Sequence, residues 1–200
     1  MIDAIIFDFG DVFINLNRKL TTDSFKKLGL ESWNDNLEHL NFQFEVGAIS
    51  ETTFLEGIQK EIPNASIENI KTAWNTILAD FPRYRLDFVK KLSTEYRLFL
   101  LSNTDAIHIS NFEKNIGKTY YEEFYACFEK IYFSFELGLR KPDPAIYTHV
   151  LKEQNLKSES TLFVDDKKEN TDAAAALGIK VWELQVGQED VTDLFIKNLI

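Results

Sequence analysis

The 200-residue chain carries 22 basic and 32 acidic side chains, a formal charge of −10 at pH 7. That length supplies one substantial core, or a core with a small companion, and 44% hydrophobic with 27% charged residues is an ordinary soluble globular balance. The acidic excess, with no basic run to offset it, argues against nucleic acid or an anionic membrane as partner. It leaves room for an anionic small molecule, because a metal ion and one local lysine reverse the field inside a pocket. Cys127 is the only cysteine, so no internal disulfide can form, which favours a reducing compartment. Among Phe124, Tyr125 and Phe128 it reads as a small buried filler. Neither a signal peptide nor a membrane span is read, so the expectation is a cytoplasmic monomer or weak homodimer.

In chain order, the first apolar run is Ala4 to Phe7, a strand. From about Asn17 to Asp80 no strand is convincing, and helical spacing predicts Leu20 to Leu28 before Gly29, Leu37 to Phe44, Ser50 to Ile62 from a Ser cap, and Ile67 to Leu78. Residues 17–80 therefore read as a small helical module inserted after the first strand, with residues 1–16 and 81–200 forming the α/β core. The core continues with a helix at Leu86 to Leu92 and strands at Leu98 to Leu101 and Lys130 to Phe133. Asp143 caps the next helix with Pro144 at its first position. A strand at Thr161 to Val164 follows, then a helix at about Asn170 to Leu177 stopped by Gly178, and a strand at Ile179 to Trp182. Continuous apolar strands alternating with helices predict a parallel, doubly wound sheet covered on both faces.

In such a sheet, ligands bind beyond the carboxyl ends of the strands. Asp8, Gly10 and Asp11 follow the first strand, Ser102 and Asn103 the second, Lys141 the third, and Asp165 and Asp166 the fourth, with Asn170 four residues on. Singly, each is ordinary: Asp and Ser cap turns and helices, and a lone lysine is usually solvated. Together, three carboxylates at one edge repel one another unless a hard cation bridges them, and Mg²⁺ suits one or two carboxylates plus a phosphate. Lys141 adds a second positive charge and Ser102 a donor, matching the charge spread over oxygens in phosphoryl transfer. No glycine-rich phosphate loop follows the first strand.

The segments Ile5-Ile6-Phe7-Asp8-Phe9-Gly10-Asp11-Val12, Leu100-Leu101-Ser102-Asn103-Thr104, Leu137 to Tyr147 around Arg140-Lys141-Pro142, and Phe163-Val164-Asp165-Asp166 to Asn170 resemble, in order, the four motifs of haloacid dehalogenase (HAD) superfamily hydrolases with a helical C1-type cap. Within that superfamily they are most similar to bacterial sugar phosphatases of the α-D-glucose-1-phosphate phosphatase type. The resemblance implies a Mg²⁺-dependent phosphatase acting on a small phosphomonoester, a sugar phosphate in particular. It implies Asp8 as nucleophile forming an aspartyl-phosphate, metal held by the Asp8 carboxylate, the Gly10 carbonyl and Asp166 with Asp165 direct or through water, phosphate gripped by Ser102 and the Asn103 N–H, Lys141 neutralising phosphate, and Asn170 orienting the last loop. The alternative is a catalytically weak HAD-like binding or regulatory protein.

One departure matters. Most of the superfamily places a second Asp, the general acid and base, two residues after the nucleophile; here that position is Gly10, and Asp11 is expected to point elsewhere. The lost acid argues against a mutase, the acidic pair against a dehalogenase. It predicts a preference for better leaving groups, and a gain on alkyl phosphates from Gly10→Asp. Phe44, Glu45 and the turn at Gly47 are the expected cap residues facing the pocket; His108 and Asp105 could stand at its edge. His39, His149, Trp33, Trp74 and Trp182 are expected in packing or surface roles.

Overall fold

In the computed structural model, which describes residues 2–200, five parallel strands form one sheet in the order β3-β2-β1-β4-β5. They are β1 (Ala4–Phe7), β2 (Arg97–Ser102), β3 (Lys130–Phe133), β4 (Thr161–Asp165) and β5 (Lys180–Glu183). The expected doubly wound sheet is present, with strand ends within a residue of those predicted. The central strand β1 sets Phe7 beside Leu100 on β2 and Val164 on β4. Period-two alternation divides the core. Ile5, Phe7, Leu98, Leu100 and Val164 pack on one face with Val89 and Phe124, whereas Ile6, Phe99, Leu101 and Phe163 pack on the other with Ile146, Tyr147 and Ala174. Cys127 is buried beside Phe124 and Phe128, the filler expected.

Four helices follow β1: α1 (Arg18–Lys27), α2 (Asp35–Glu45), α3 (Glu51–Glu61) and α4 (Ile67–Asn75). Each begins on a side-chain cap, from Asn17, Asn34, Ser50 and Ser66 respectively, which satisfies a backbone N–H the first turn leaves open. They enclose their own apolar cluster, including Phe25, Leu37, Phe44, Phe54, Ile70 and Trp74, and meet the core at Ile107. The helix predicted to reach Leu78 stops at Asn75 because the chain there turns extended. Asn15 N–H donates to Asp80 O and Asn17 N–H to Ile77 O, at 2.9 and 2.8 Å, so the strands leaving and re-entering the core pair as a two-stranded hinge.

Beyond the hinge lie α5 (Arg83–Leu92), α6 (Ala106–Ile116) and α7 (Lys118–Tyr125). The short α8 (Ser134–Leu137) follows β3, then α9 (Pro144–Glu153), capped by Asp143, and α10 (Lys168–Ala175) before Gly178. Neither α6 nor α7 was predicted. Gly117, at φ +86°, divides them. Buried Arg85 ties three parts together: its guanidinium donates to Phe13 O and Asn15 Oδ1, and pairs with Asp190 near the C-terminus at 2.9 Å. Among the described residues no helix is long and apolar enough to cross a membrane.

Phe54 is fully buried in the four-helix cluster, its ring 4.3 Å from Phe44 and 5.0 Å from Trp74. Phe54→Ala is expected to destabilise the protein by about 3–5 kcal/mol, read by urea unfolding. A loss below about 1 kcal/mol would mean that the cluster is not packed as a core.

Candidate active site

The carboxyl edge of the sheet gathers the expected residues. Asp8 leaves β1 with its N–H bonded to Val164 O at 2.9 Å, and Asp165 ends β4. Between them stands the Lys141 ammonium, 2.7 Å from Asp8 Oδ1 and 2.6 Å from Asp165 Oδ2, in a side chain only 1% exposed. Burial works against that charge, but the two carboxylates outweigh it and hold the lysine above its ordinary pKa. Burial likewise pushes Asp8 up to about 7, with Lys141 opposing and Asp165 reinforcing. Asp166 is raised by burial, then by Asp165 and Asp11. Three carboxylates thus crowd a place where one ammonium does not fully compensate them.

Each is held by neighbours. Asn170 Nδ2 donates to both Asp165 oxygens at 2.9 and 3.0 Å, and Lys167 N–H donates to Oδ1 at 2.8 Å. Asn170 is itself fixed where Tyr147 O–H donates to its carbonyl at 2.9 Å. The Asn103 side chain has a use the sequence did not reveal: its Nδ2 donates to Lys141 O at 2.8 Å, while Lys141 N–H donates to its Oδ1 at 2.9 Å. This two-way amide clamp sets the backbone from which the lysine reaches inward. Ser134 Oγ similarly accepts from Thr104 N–H at 3.0 Å and donates to Thr104 O at 3.1 Å, bracing the loop after Ser102.

One oxygen each of Asp8, Asp165 and Asp166 lies within 4.8 Å of the others. Asp165 is already engaged by an ammonium, an amide and a backbone N–H, so its direct donor capacity is small. Asp8 and Asp166 are the more open pair. An all-oxygen set carrying uncompensated negative charge fits a hard divalent cation such as Mg²⁺.

Asp11 turns away, as expected. Its backbone is left-handed at φ +56°, and its carboxylate accepts from Leu16 N–H at 2.9 Å and pairs with Arg18. Arg18, the first residue of α1, also stands 3.6 Å from Asp166, linking the helical module to the metal-type cluster. At Gly10 an added Cβ would meet Leu16 Cδ1 at 2.9 Å. The expected gain from Gly10→Asp therefore requires Leu16 to move first.

A cavity of about 190 Å³ between the four-helix module and the sheet edge is lined by Gly10, Ser102 and Asn103 below, and by Asn41, Glu45 and Trp74 above, with His108 and Lys167 at its sides. Of the cap residues expected here, only Glu45 faces it. Phe44 stacks inward on Phe54, and Gly47 lies against the Phe135 carbonyl, 2.1 Å from where its Cβ would be. Asn41 was missed, although its i,i+4 relation to Glu45 puts both on one helix face. Arg18 was missed for want of any motif. Trp74, expected only to pack, also lines the cavity. His39 is exposed and His149 pairs with Glu153 at 3.3 Å, both outside the site.

His108 does stand at the edge, with both ring nitrogens engaged. Nδ1 lies 2.9 Å from Asp105 Oδ2 and Nε2 donates to Trp74 O at 3.1 Å, while Trp74 Nε1–H donates to the same Asp105 oxygen. Two acceptors require both ring N–H groups, hence imidazolium. Burial opposes that charge, but Asp105 raises the histidine pKa; burial opposes the Asp105 charge too, but His108 lowers that carboxyl.

The raised His108 stabilises the fold fully below its ordinary value of 6.5 and loses that contribution as pH climbs through its folded value; the lowered Asp105 contributes above 3.8 and is lost as pH falls. The melting-temperature gap between the wild type and His108→Ala should thus be widest near about pH 5.5 and narrow toward alkaline pH. A gap constant from about pH 5 to 9 would show that the ring is held neutral.

A family model for haloacid dehalogenase-like hydrolases matches residues 5–183. The chain is 30% identical over 203 residues to the D-ribitol-5-phosphate phosphatase of Bacteroides thetaiotaomicron, covering 94% of this chain and 95% of that protein. It is 31% identical to a sesquiterpene phosphatase of Aspergillus oryzae, over 88% of this chain and 86% of the other. A crystal structure of a HAD family enzyme from Bacteroides thetaiotaomicron, in complex with magnesium and inorganic phosphate, matches with a TM-score of 0.85 at 35% identity, covering 98% of this chain and 100% of that one.

Proposed function

The chain belongs to the haloacid dehalogenase-like hydrolase family, and on that footing we propose that it is a Mg²⁺-dependent phosphatase of small phosphomonoesters, with residues 17–80 as its cap. The observation that carries the reading is one buried lysine paired with Asp8 and Asp165, with Asp166 within 4.8 Å of both carboxylates, beside a cavity lined by Gly10, Ser102 and Asn103.

Asp8 and Asp166, with the Gly10 carbonyl, would hold the magnesium, and Asp165 would support it directly or through water. Bound there, Mg²⁺ neutralises phosphate oxygens and makes phosphorus more electrophilic. The chain's own groups do the rest. Lys141 orients Asp8 through its 2.7 Å contact and adds positive charge beside the phosphate. Ser102 and the Asn103 N–H line the cavity floor and donate to the phosphoryl oxygens. Asp8 attacks phosphorus, giving an aspartyl-phosphate, and water then cleaves it. A cap closed over bound substrate would exclude competing solvent.

A cavity of about 190 Å³ with Asn41 and Glu45 on its roof suits a short hydroxylated substrate, a sugar or polyol phosphate, in keeping with the relative named for D-ribitol 5-phosphate. One observation favours a second substrate class. A neighbouring groove of about 390 Å³, lined by Phe25, Leu30 and Trp33, shares Arg18, Asn41, Trp74 and Ile77 with that cavity and would take an apolar tail, as a terpenyl phosphate has.

Phosphate release from alditol, aldose, acyl and terpenyl phosphates, with and without Mg²⁺, tests the reading. Release should require the metal and fall by at least about 10³-fold in Asp8→Asn. Folded, Mg²⁺-binding protein that releases phosphate from nothing would favour the regulatory alternative instead.

A further inference from the structure

A phosphatase acting on an alkyl ester must protonate a poor leaving group, and the floor of this site offers no proton. Gly10 has no side chain to give one. Asp8 is the nucleophile and Lys141 is locked between two carboxylates. Both Asp165 oxygens accept hydrogen bonds, and Asp166 belongs to the metal set. Asp11 is turned to Leu16 and Arg18. Among the remaining titratable groups lining the cavity, Arg18 is paired with Asp11 and stands near Asp166, both His108 nitrogens are engaged, and Lys167 is a cation rather than a carboxyl. Glu45 alone remains.

Resting on the phosphatase reading above, we propose that Glu45, carried by the cap helix α2, is the catalytic acid and base of this site. In the first half-reaction the Asp8–phosphorus bond forms as the phosphorus–ester oxygen bond breaks, and the leaving oxygen takes the Glu45 carboxyl proton. In the second, water attacks phosphorus, its proton passes to the Glu45 carboxylate, and the bond from Asp8 to phosphorus breaks. The cycle ends with Glu45 protonated again, alcohol and phosphate released, and no other reagent consumed.

The surroundings of Glu45 suit this task. It shares the cavity of about 190 Å³ with Gly10 and Ser102, which flank the nucleophile in the sheet edge. Its Oε2 is buried with no hydrogen-bond partner. Arg140 Nη2 is 3.1 Å away, an ion pair out of line for a hydrogen bond, so this oxygen is held by charge alone while the side chain, partly exposed, lines the cavity. Asn41 Nδ2 contacts Oε1 at 3.5 Å and orients the group. The charged groups around it are Arg140 from the loop before α9, Lys167 from the loop after β4, and Asp105 with His108 at the start of α6. Burial raises the carboxyl above its ordinary range, with Arg140 opposing. That balance brings a carboxylic acid toward neutral pH and leaves a cation beside the carboxylate once the proton has gone. Gly10 then need not restrict the enzyme to activated phosphates, because the cap supplies what position 10 lacks.

The test is a leaving-group series: nitrophenyl, phenyl and alditol phosphates with wild type and Glu45→Gln, in saturating Mg²⁺. The glutamine keeps the shape and loses the proton. Glu45→Gln should lose about 10²–10⁴-fold in kcat/KM on the alditol phosphate and less than about tenfold on nitrophenyl phosphate, and the acidic group seen in the alditol pH profile should vanish. Equal loss along the series would overturn the proposal and make Glu45, with Arg140, a structural latch of the cap. No loss on the alditol ester would overturn it as well. Should the variant fail to fold, the wild-type series decides: a shallow dependence on leaving-group basicity is expected, and a steep one overturns the proposal. Wild-type silence on nitrophenyl phosphate would sink the phosphatase reading itself, a result distinct from all of these.

Discussion

The site depends on one ammonium held between two carboxylates in a nearly dry place. Lys141 is the cation that lets Asp8 and Asp165 stand side by side at the end of a parallel sheet. Removing one partner of such a buried pair costs about 3–5 kcal/mol, because an uncompensated charge remains. The surrounding polar contacts act on its placement. Asn103 clamps the backbone of the lysine, Asn170 and the Lys167 N–H fix the far carboxylate, and Tyr147 fixes Asn170. Even so, the charge is not balanced, since a third carboxylate stands within reach. The remaining negative charge suits the place to a hard divalent cation.

The sheet was legible in the sequence because strands buried on both faces cannot alternate; they must be apolar throughout, and runs such as Ile5-Ile6-Phe7 and Leu162-Phe163-Val164 announce themselves. The residues beyond them were legible because a parallel sheet sends every carboxyl end to one edge. Residues whose task is set by distant partners were not. The Asn103 amide clamps a residue 38 positions away and Arg85 reaches back 70 to Asn15, and no local pattern encodes either. Helix ends were misread where tertiary pairing overrode period: the segment at Ile77 to Asp80 carries helical spacing but serves as the second strand of the hinge. The cap surface was only half legible. Apolar Phe44 looked as suited to a pocket as Glu45, yet burial against Phe54 was the stronger attraction.

The paired strands that join the four-helix segment to the sheet bear on the site. The two are paired by backbone hydrogen bonds. Arg85 pins one end to the turn after Asp8, through Phe13 O, and to Asp190. At the other end Arg18 opens α1 while touching Asp11 and Asp166. Arg18 thereby ties α1 to the carboxylate cluster. His108 adds a second tie, since its ring is stacked on cap Trp74 at 4.8 Å and its Nε2 donates to the Trp74 carbonyl.

Hydrogen-bond satisfaction differs sharply between the two halves of the cavity. On the floor, the Asp165, Asn103 and Lys141 side chains are bonded to one another or to backbone. On the roof and its rim, Asn41 Oδ1, Glu45 Oε2 and Arg140 Nε are buried without a partner. An unmet buried polar group costs about 1–3 kcal/mol; Asn170 Oδ1 beside the carboxylates is unpartnered too, but three such groups stand together around Glu45. A hydroxylated ligand would satisfy them. On the phosphatase reading, the floor would meet the phosphoryl group that every such substrate shares, and the roof the part that differs between them.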